Sequence, residues 1–386
     1  MSDENAALSP APTPAAPGPS GSLKASRSSG GRVRGGRRPA WRGAPARPLV
    51  AAPLAILAFI FALRILVLSA GALVDVFEAV GAGGAWNFVG LGWLSSYLVL
   101  SGSPIAATAL TLQDAGVLSE VEAFAQIVGS RLGASFIVLV VGFVSYLRGR
   151  RLADGVYVGV VSLVVTITTY VPVGIVGWLA LDQGWFDGVE IGAIAPVLSF
   201  MEAVYDPILD PLRDALPDIV LFLVGIFLML AALRLFDRAL PTAESTSGRL
   251  ASNRERLNGR WAMFGLGAGI TLITLSVAVS LTLLVPLARQ GLIRREAIVP
   301  YVLGANITTL ADTLFASSVL ESGATATVVL TVAFMATAAA LFVLTVTHRP
   351  YVNAVNRTAR WASQDRRHLA TFIGAIFAAP VVLLVV

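Results

Sequence analysis

Residues 299–312 read VPYVLGANITTLAD. This segment lies in one of the most apolar parts of the chain, yet within nine positions it contains a glycine, an amide, two hydroxyls and a carboxylate: Gly304, Asn306, Thr308, Thr309 and Asp312. Such polar groups are costly in lipid unless protein or water satisfies them. We therefore expect a polar site inside a membrane-embedded part of the chain.

The composition of the whole chain indicates an integral membrane protein. Of 386 residues, 56% are hydrophobic and 13% are charged, and the mean hydropathy is +0.78. So little charge does not suit a soluble protein of this size. The chain has no cysteine, so it has no disulfide and no thiolate metal site, and helix packing must hold it together. Arginine is strongly preferred over lysine, which favours a bacterial origin and hence the bacterial plasma membrane.

Residues 1–48 form a separate region. They are rich in Pro, Ala, Ser and Gly, and they carry eight basic residues from Lys24 to Arg47. We predict a disordered cytoplasmic arm. Its arginines are interpreted as a topology determinant that also contacts anionic lipid headgroups. Nucleic-acid binding is the alternative, but Trp41 is the only aromatic residue among these charges, so no nucleic-acid partner is predicted.

Seven apolar runs are long enough to cross a bilayer core, which needs about 20 residues. They are 49–74, 124–147, 156–181, 219–236, 296–319, 324–347 and 369–386. The connections at 148–151, 238–260 and 349–367 are rich in arginine, whereas residues 182–218 carry eight acids and one base. The positive-inside rule places the arginine-rich connections in the cytoplasm and the acidic one outside. The N-terminus is then cytoplasmic and the C-terminus external.

Two further apolar stretches, 88–112 and 262–288, do not fit as complete spans. The charge pattern requires the first to enter and leave on the outer face and the second on the inner face. We predict two re-entrant hairpins that enter the membrane from opposite sides. The first contains the sequence LSGSPIA, in which Gly102 and Pro104 interrupt a helix.

The two halves of the chain also show a weak internal repeat. A shift of 175 positions aligns WNFVGLG (86–92) with WAMFGLG (261–267) and Gly129 with Gly304. Because each half reads span, hairpin, span, span in opposite orientation, we predict an all-α polytopic protein of two inverted repeats. The predicted regions are membrane repeat 1 (49–181), an acidic external linker (182–218), membrane repeat 2 (219–347), a cytoplasmic basic loop (348–368) and a C-terminal transmembrane helix (369–386).

The second half carries a family resemblance. The sequence PLARQGLIRREAIVPYVLGANITT (286–309), preceded by TLSVAVSLTLL (274–284), resembles the second repeat of the sodium/phosphate cotransporter (Na+/Pi symporter) family. The first repeat is similar through LSGSPIAATALTLQDAGVL (100–118) and GSRLGAS (129–135). The resemblance implies a symport fold with two hairpin motifs at the substrate site, phosphate as substrate and sodium as coupling ion.

The chain departs from the family pattern at several of these motif positions. Leu100 and Leu275 stand where the family has glutamine, and Arg131 stands where its first repeat has asparagine. These differences bear on the substrate and on the coupling ion. A proton is therefore the alternative to sodium, and no other cofactor is predicted.

Candidate substrate-binding residues lie at the two hairpin breaks. A dehydrated anion needs replacement donors, and hydroxyls, free backbone N–H groups and an arginine provide them. The candidates are Ser101, Gly102, Ser103, Ser276, Ser280, Thr282 and Arg131. The alternative for each hydroxyl is that it bonds to a carbonyl of its own helix or assists close helix packing.

Candidate ion-binding residues lie in the opening segment. Oxygens of Asn306, Thr308, Thr309 and Asp312 are suited to coordinate a cation. The alternative is a purely structural polar seam between helices.

Three ionisable residues lie deep in predicted spans: Arg64, Arg131 and Asp312. Arg131 and Asp312 lie at matching depths, so we expect them to pair, either during transport or as a fixed structural pair. Arg64 has no obvious partner in the sequence and is expected to snorkel or to face a cavity.

These features favour an ion-coupled secondary transporter of a small inorganic anion, with phosphate indicated by the resemblance. A non-transporting relative that acts as a scaffold or sensor is the alternative. An enzyme is not expected, because the only histidines, His348 and His368, lie in the basic loop, and the chain has no phosphate-cradling GxxxxGK[ST] motif.

Overall fold

The computed structural model describes residues 48–147, 152–186, 195–239, 259–289 and 293–386. These residues form sixteen helices, and the described ranges contain no β-strand. Helices satisfy all of their interior backbone groups locally, which an apolar chain in lipid requires. In chain order they are α1 (Pro48–Ser69), α2 (Ala72–Val80), α3 (Ala85–Val99), α4 (Ser103–Asp114), α5 (Glu120–Ala134), α6 (Phe136–Leu147), α7 (Leu152–Asp182), α8 (Ala195–Ala215), α9 (Asp218–Ala239), α10 (Arg260–Thr274), α11 (Val277–Arg289), α12 (Arg295–Thr308), α13 (Leu310–Ser318), α14 (Gly323–Thr345), α15 (His348–Gln364) and α16 (Arg366–Val385).

The prediction of an all-α protein with seven apolar spans is confirmed. Within the described ranges, seven segments are helical, long and apolar enough to cross a membrane. Five are the single helices α1, α7, α9, α14 and α16, and the other two are bent pairs, α5 with α6 and α12 with α13. Together they indicate a multi-pass membrane protein.

Two helix pairs are interrupted by a leucine in an unusual backbone conformation. Leu100 separates α3 from α4 with φ 58°, and Leu275 separates α10 from α11 with φ 46°. No other described residue except glycine has a positive φ. A left-handed conformation strains a residue with a Cβ by about 1–2 kcal/mol. The helices beside the first break have 15 and 12 residues, about 22 and 18 Å, so neither spans a bilayer core by itself.

Helices α3 and α5 approach each other backbone to backbone. A Cβ atom on Gly92 would lie 2.2 Å from the carbonyl oxygen of Gln126, and one on Gly129 would lie 2.1 Å from that of Val89. No side chain fits at such distances, so both positions need glycine. This close contact fixes the position of α5 beside the first break.

Helices α10 and α12 make the equivalent contact. A Cβ on Gly267 would lie 2.1 Å from the carbonyl oxygen of Tyr301, and one on Gly304 would lie 2.1 Å from that of Phe264. Each residue lies 175 positions after its counterpart in the α3–α5 contact. The weak sequence repeat is therefore accompanied by a repeat of helix contacts.

The two connections predicted as a linker and a loop both contain helices. The range 182–218 includes α8, which packs on α1 and donates a hydrogen bond from Tyr205 Oη to the Leu57 carbonyl at 3.0 Å. The range 348–368 includes α15, which packs on α7, where Tyr157 Oη donates to Asn356 Oδ1 at 2.7 Å. Both helices are amphipathic, which allows an otherwise polar connection to dock on the membrane helices.

The apolar core has two parts. One is built mainly by α1, α3, α4, α5, α9 and α14, and the other mainly by α6, α7, α10, α11, α12 and α15. Arg131 on α5 and Asn306 on α12 are buried polar residues on helices of different parts. Arg131 extends from α5 to the residues at the junction of α12 and α13.

Candidate functional site

Arg131 is the centre of a buried polar group. Its side chain is 1% exposed and extends from α5 to the junction of α12 and α13. Nη1 donates to Thr309 Oγ1 at 3.1 Å, and Nη2 donates to Thr313 Oγ1 at 2.5 Å. Nη2 also lies 3.9 Å from Asp312 Oδ1. The expected proximity of Arg131 and Asp312 is observed.

Local sequence explains how these side chains meet. Helix α5 is anchored at its start by a capping box, in which Ser119 and Glu122 satisfy each other's backbone N–H groups. Thr309 is the N-cap residue of the short helix α13, and Asp312 and Thr313 lie in the first turn of that helix. Positions separated by three or four residues share one helix face, so Thr309, Asp312 and Thr313 all present their side chains to Arg131.

Two polar atoms of this group have no hydrogen-bond partner among the described residues. They are Arg131 Nε and Asp312 Oδ2, and both are buried. Most buried polar atoms in proteins are hydrogen-bonded, and the exceptions call for an explanation such as a ligand or an ion. The group therefore keeps one free donor and one free acceptor.

The break between α3 and α4 adjoins this group. Gly102 packs on α5 so closely that a Cβ would lie 2.7 Å from the Ser130 carbonyl oxygen. The Ser103 side chain lies beside the Asp312 carboxylate, and Ser101 is half-buried in the break itself. Of the predicted substrate residues, the structure thus brings Ser103 and Arg131 together at Asp312, with Gly102 in the adjoining backbone.

The predicted hydroxyls at the second break bond within α10 and α11 or to α12. Ser280 accepts from Thr271 Oγ1 at 2.7 Å and lies 3.0 Å from Tyr301 Oη. Thr282 donates to the carbonyl three residues before it at 3.1 Å, and Ser276 accepts from the N–H three residues after it at 3.3 Å. No hydrogen bond among the described residues joins Ser276, Ser280 or Thr282 to Arg131.

The four predicted ion-binding residues have different partners. Thr309 and Asp312 face Arg131, whereas Asn306 donates from Nδ2 to Thr166 Oγ1 at 3.0 Å. The Asn306 carbonyl accepts from Tyr170 Oη at 2.8 Å. Thr308 donates to the carbonyl four residues before it at 3.2 Å. The side chains of Asn306 and Thr308 thus donate hydrogen bonds to partners other than the Arg131 group.

A cavity of about 210 Å³ connects Asp312 with the second break. Leu275 lines it, together with residues of α1 and α9, and one of the latter is a second acid, Asp237. Sequence reasoning missed Asp237 because it falls at the end of an apolar run, next to an arginine-rich connection. A helical projection would have detected it, because Asp237 shares a face with the apolar residue Leu233, four positions earlier.

Arg64, for which the sequence offered no obvious partner, forms ion pairs with two acids. Its Nε and Nη2 donate to the two oxygens of Asp206 at 3.2 and 3.1 Å, and Nη1 donates to Glu321 Oε1 at 3.0 Å. These acids lie 142 and 257 positions away in the sequence, on α8 and just after α13. No local pattern in the sequence indicates either contact.

Comparison with known proteins leaves the family open, since no family model, curated protein or solved structure matches this chain. The described residues also contain no group of three or more His, Asp or Glu side chains that could hold a metal ion. Function must therefore be argued from the polar group around Arg131 and the cavity that reaches Asp312.

Proposed function

We propose that this chain is an ion-coupled secondary transporter of a small inorganic anion, with phosphate as the first substrate to test. The observation that carries the proposal is the buried guanidinium of Arg131, which has a free Nε and lies beside a broken helix. A charge at such depth is expensive and by default marks a solute pathway.

The chemistry of Arg131 favours an oxyanion. A guanidinium is planar, carries five N–H donors and stays charged at any physiological pH. Two donors contact threonine hydroxyls, and Nε has no partner among the described residues. Neutral hydroxyls are weaker partners than a tetrahedral oxyanion, which accepts paired hydrogen bonds from the guanidinium fork. An anion that displaces the threonines would therefore gain the stronger interaction.

The architecture supports transport by alternating access. We infer that α3–α4 and α10–α11 are re-entrant hairpins of two inverted repeats. The support is the pair of left-handed leucines and the glycine contacts that recur 175 positions apart. In transporters of this kind, broken helices of the two repeats meet near the membrane midplane and form the solute site.

We also propose a cytoplasmic N-terminus, an external C-terminus and location in a bacterial plasma membrane, with the orientation taken from the positive-inside rule. Contacts between distant residues agree with the grouping of helix ends on the two sides. Glu321 pairs with Arg64, and Asp114 accepts from the backbone N–H of the residue after Glu321. Arg64, Asp114 and Glu321 are all assigned to the outer half of the membrane. Arg260 donates to the Leu344 carbonyl at 3.0 Å, and both are assigned to the inner side.

The resemblance to sodium/phosphate cotransporters supplies the choice of substrate. The glutamines of that family are replaced here by the two leucines at the breaks. Under the proposal, Arg131 takes over from those amides as the main anion contact. Selectivity then depends on charge and oxygen geometry, so we expect sulfate to compete with phosphate.

Uptake into proteoliposomes tests the proposal. Purified protein is reconstituted, and radiolabelled phosphate is added with and without an inward sodium gradient or pH gradient. We expect saturable, gradient-stimulated uptake that protein-free vesicles lack and that excess sulfate reduces. Absence of saturable uptake of both phosphate and sulfate under every gradient would reject a transport function.

A non-transporting sensor or scaffold is the second candidate. It is favoured by the second hairpin, whose hydroxyls are satisfied within the hairpin or by neighbouring helices. This alternative predicts phosphate binding to the purified protein without uptake into vesicles. Binding and uptake measured on the same purified protein therefore distinguish the two candidate functions.

A further inference from the structure

The cavity beside the second break joins an exposed carboxylate to a buried one. Asp237 on α9 is exposed, whereas Asp312 on α13 is only 8% exposed, and both line the same space of about 210 Å³. Most of the remaining lining is apolar and includes Phe59, Phe315 and Leu275. The cavity is thus mostly apolar, with one exposed and one buried acid in its lining.

The buried acid has unused binding capacity. Asp312 Oδ1 accepts from Thr313 Oγ1 at 2.9 Å, and the Ser103 side chain lies beside the carboxylate, but the buried Oδ2 makes no hydrogen bond of good geometry with any described residue. A buried carboxylate oxygen without a partner is unfavourable unless a cation or donor occupies the adjoining space.

The charges around the cavity do not balance. The part of the lining that the structure describes contains two acids, Asp237 and Asp312, and no basic residue, and Arg131 lies outside the lining with Nη2 3.9 Å from Asp312 Oδ1. Among the described residues of the neighbouring helices, Arg64 on α1 is committed to Asp206 and Glu321, and Asp114 on α4 accepts a backbone N–H. Arg234 and Arg238 lie on α9 itself but do not line the cavity. A bound monovalent cation would offset negative charge in this lining.

We propose that Asp237 and Asp312 form the binding site of the coupling cation, which enters past Asp237 and is held at Asp312. This inference rests on the proposed transport function and names its ion site. The ligand is a monovalent cation, either a proton or sodium. A divalent ion is a poor fit, because it needs six or more oxygen ligands or several retained waters, and the lining is mostly apolar.

The geometry also gives a coupling mechanism. Without the cation, the Asp312 charge lies 3.9 Å from the Arg131 guanidinium and competes with any anion for it. A cation at Asp312 neutralises that charge, so Arg131 becomes free to bind the anion. Coupling of this kind is reciprocal, and the anion should raise the affinity for the cation by the same factor.

Carbodiimide labelling tests the site without requiring transport. N,N′-dicyclohexylcarbodiimide reacts with protonated carboxyl groups in apolar surroundings. Purified full-length protein is treated in detergent, and the modified residue is located by peptide mapping and mass spectrometry. We expect one main adduct at Asp312, which Asp312→Asn abolishes. Asp218→Asn, which changes an exposed acid at the other end of α9, should leave it unchanged.

Varying NaCl and pH during the labelling reaction distinguishes sodium from a proton as the bound cation. If the ion is sodium, NaCl protects Asp312 from labelling and choline chloride does not. If the ion is a proton, labelling falls as pH rises and NaCl has no effect. In either case Asp237→Asn should raise the cation concentration, of sodium or of protons, that gives half of the full change in labelling. The expected shift is about tenfold, equivalent to about 1.4 kcal/mol, because the negative charge of Asp237 is lost.

Two results would overturn the cation site. One is labelling of Asp312 that responds to neither pH nor sodium. The other is the absence of an adduct at Asp312 in the unmutated protein. Mapping in the unmutated protein keeps the test valid if Asp312→Asn fails to fold. If protection is seen but no anion is taken up, the ion site stands and the transport proposal fails. If uptake is seen without protection, only the ion site fails.

Discussion

Gly129 and Gly304 occupy equivalent positions in two separate helix contacts. A Cβ atom on either residue would lie 2.1 Å from a backbone carbonyl oxygen, that of Val89 in the first case and of Phe264 in the second. The glycines are 175 positions apart, and so are the carbonyl residues. Small residues that let backbones touch are a usual device for packing membrane helices. The two contacts therefore use one packing pattern.

The first prediction concerns these glycines. Gly129→Ala and Gly304→Ala should each destabilise the protein by about 1–3 kcal/mol, because the added methyl group forces the helices apart. Thermal unfolding in detergent measures the effect. Gly265→Ala on α10 is the matched control, since no atom lies within 4 Å of its Cβ position, and it should be neutral or stabilising by up to about 1 kcal/mol. Equal stability of Gly304→Ala and Gly265→Ala would contradict the close contact.

The second prediction concerns the left-handed leucine at the second break. Leu275→Gly should stabilise the break or leave it unchanged, because glycine adopts φ 46° without strain, whereas Leu275→Val should destabilise it by about 1 kcal/mol or more. Leu272→Gly, at an exposed position inside α10, should destabilise the protein by about 1 kcal/mol. Melting temperatures compare the three variants. An equal fall in melting temperature for Leu275→Gly and Leu272→Gly would contradict backbone strain at Leu275.

The third prediction concerns Arg64 and its two acids. Arg64 contacts both oxygens of Asp206, whose side chain is 29% exposed, whereas the side chain of Glu321 is 59% exposed. Double-mutant cycles with alanine should therefore give about 1–2 kcal/mol for Arg64 with Asp206 and less than about 1 kcal/mol for Arg64 with Glu321. Equal coupling energies would mean that the bidentate geometry contributes nothing.

The fourth prediction concerns topology. The chain has no cysteine, so single cysteines are introduced at Trp185 and at Asn353, both of which are exposed. In intact cells an impermeant maleimide should label Trp185→Cys and spare Asn353→Cys until the membrane is permeabilised. Labelling of Asn353→Cys alone would reverse the proposed orientation, and labelling of both without permeabilisation would remove its basis.

The spans were predictable from the sequence because their signal is local. An apolar run of about 20 residues has few alternatives to a membrane helix. The first break was foreseeable in the same way from Gly102 and Pro104. The bends after α5 and α12 were not, because Ser135 and Thr309 are not strong helix breakers.

The polar site was predictable only in part. Matching depths in two spans indicated that Arg131 and Asp312 would be neighbours. Thr313, the cavity and the role of Asp237 in its lining depend on how each helix is rotated, and no span-level pattern encodes that rotation. For the same reason the partners of Arg64, which come from distant helices, could not be assigned from the sequence.

The pair formed by Arg131 and Asp312 supports the last prediction. Arg131→Ala or Asp312→Ala alone strands a buried charge and should destabilise the protein by about 3–5 kcal/mol, whereas the double variant should recover most of that loss. Recovery is checked by thermal unfolding and by a single symmetric peak in size-exclusion chromatography. The Arg64→Ala/Asp206→Ala variant removes the other arginine–aspartate pair and is the control, with uptake retained.

Phosphate uptake by the folded Arg131→Ala/Asp312→Ala variant is then the deciding measurement. If the buried group binds the transported anion, the variant should show no saturable uptake above that of protein-free vesicles. Uptake at the parental rate would show that the pair is purely structural and that the anion crosses the membrane elsewhere.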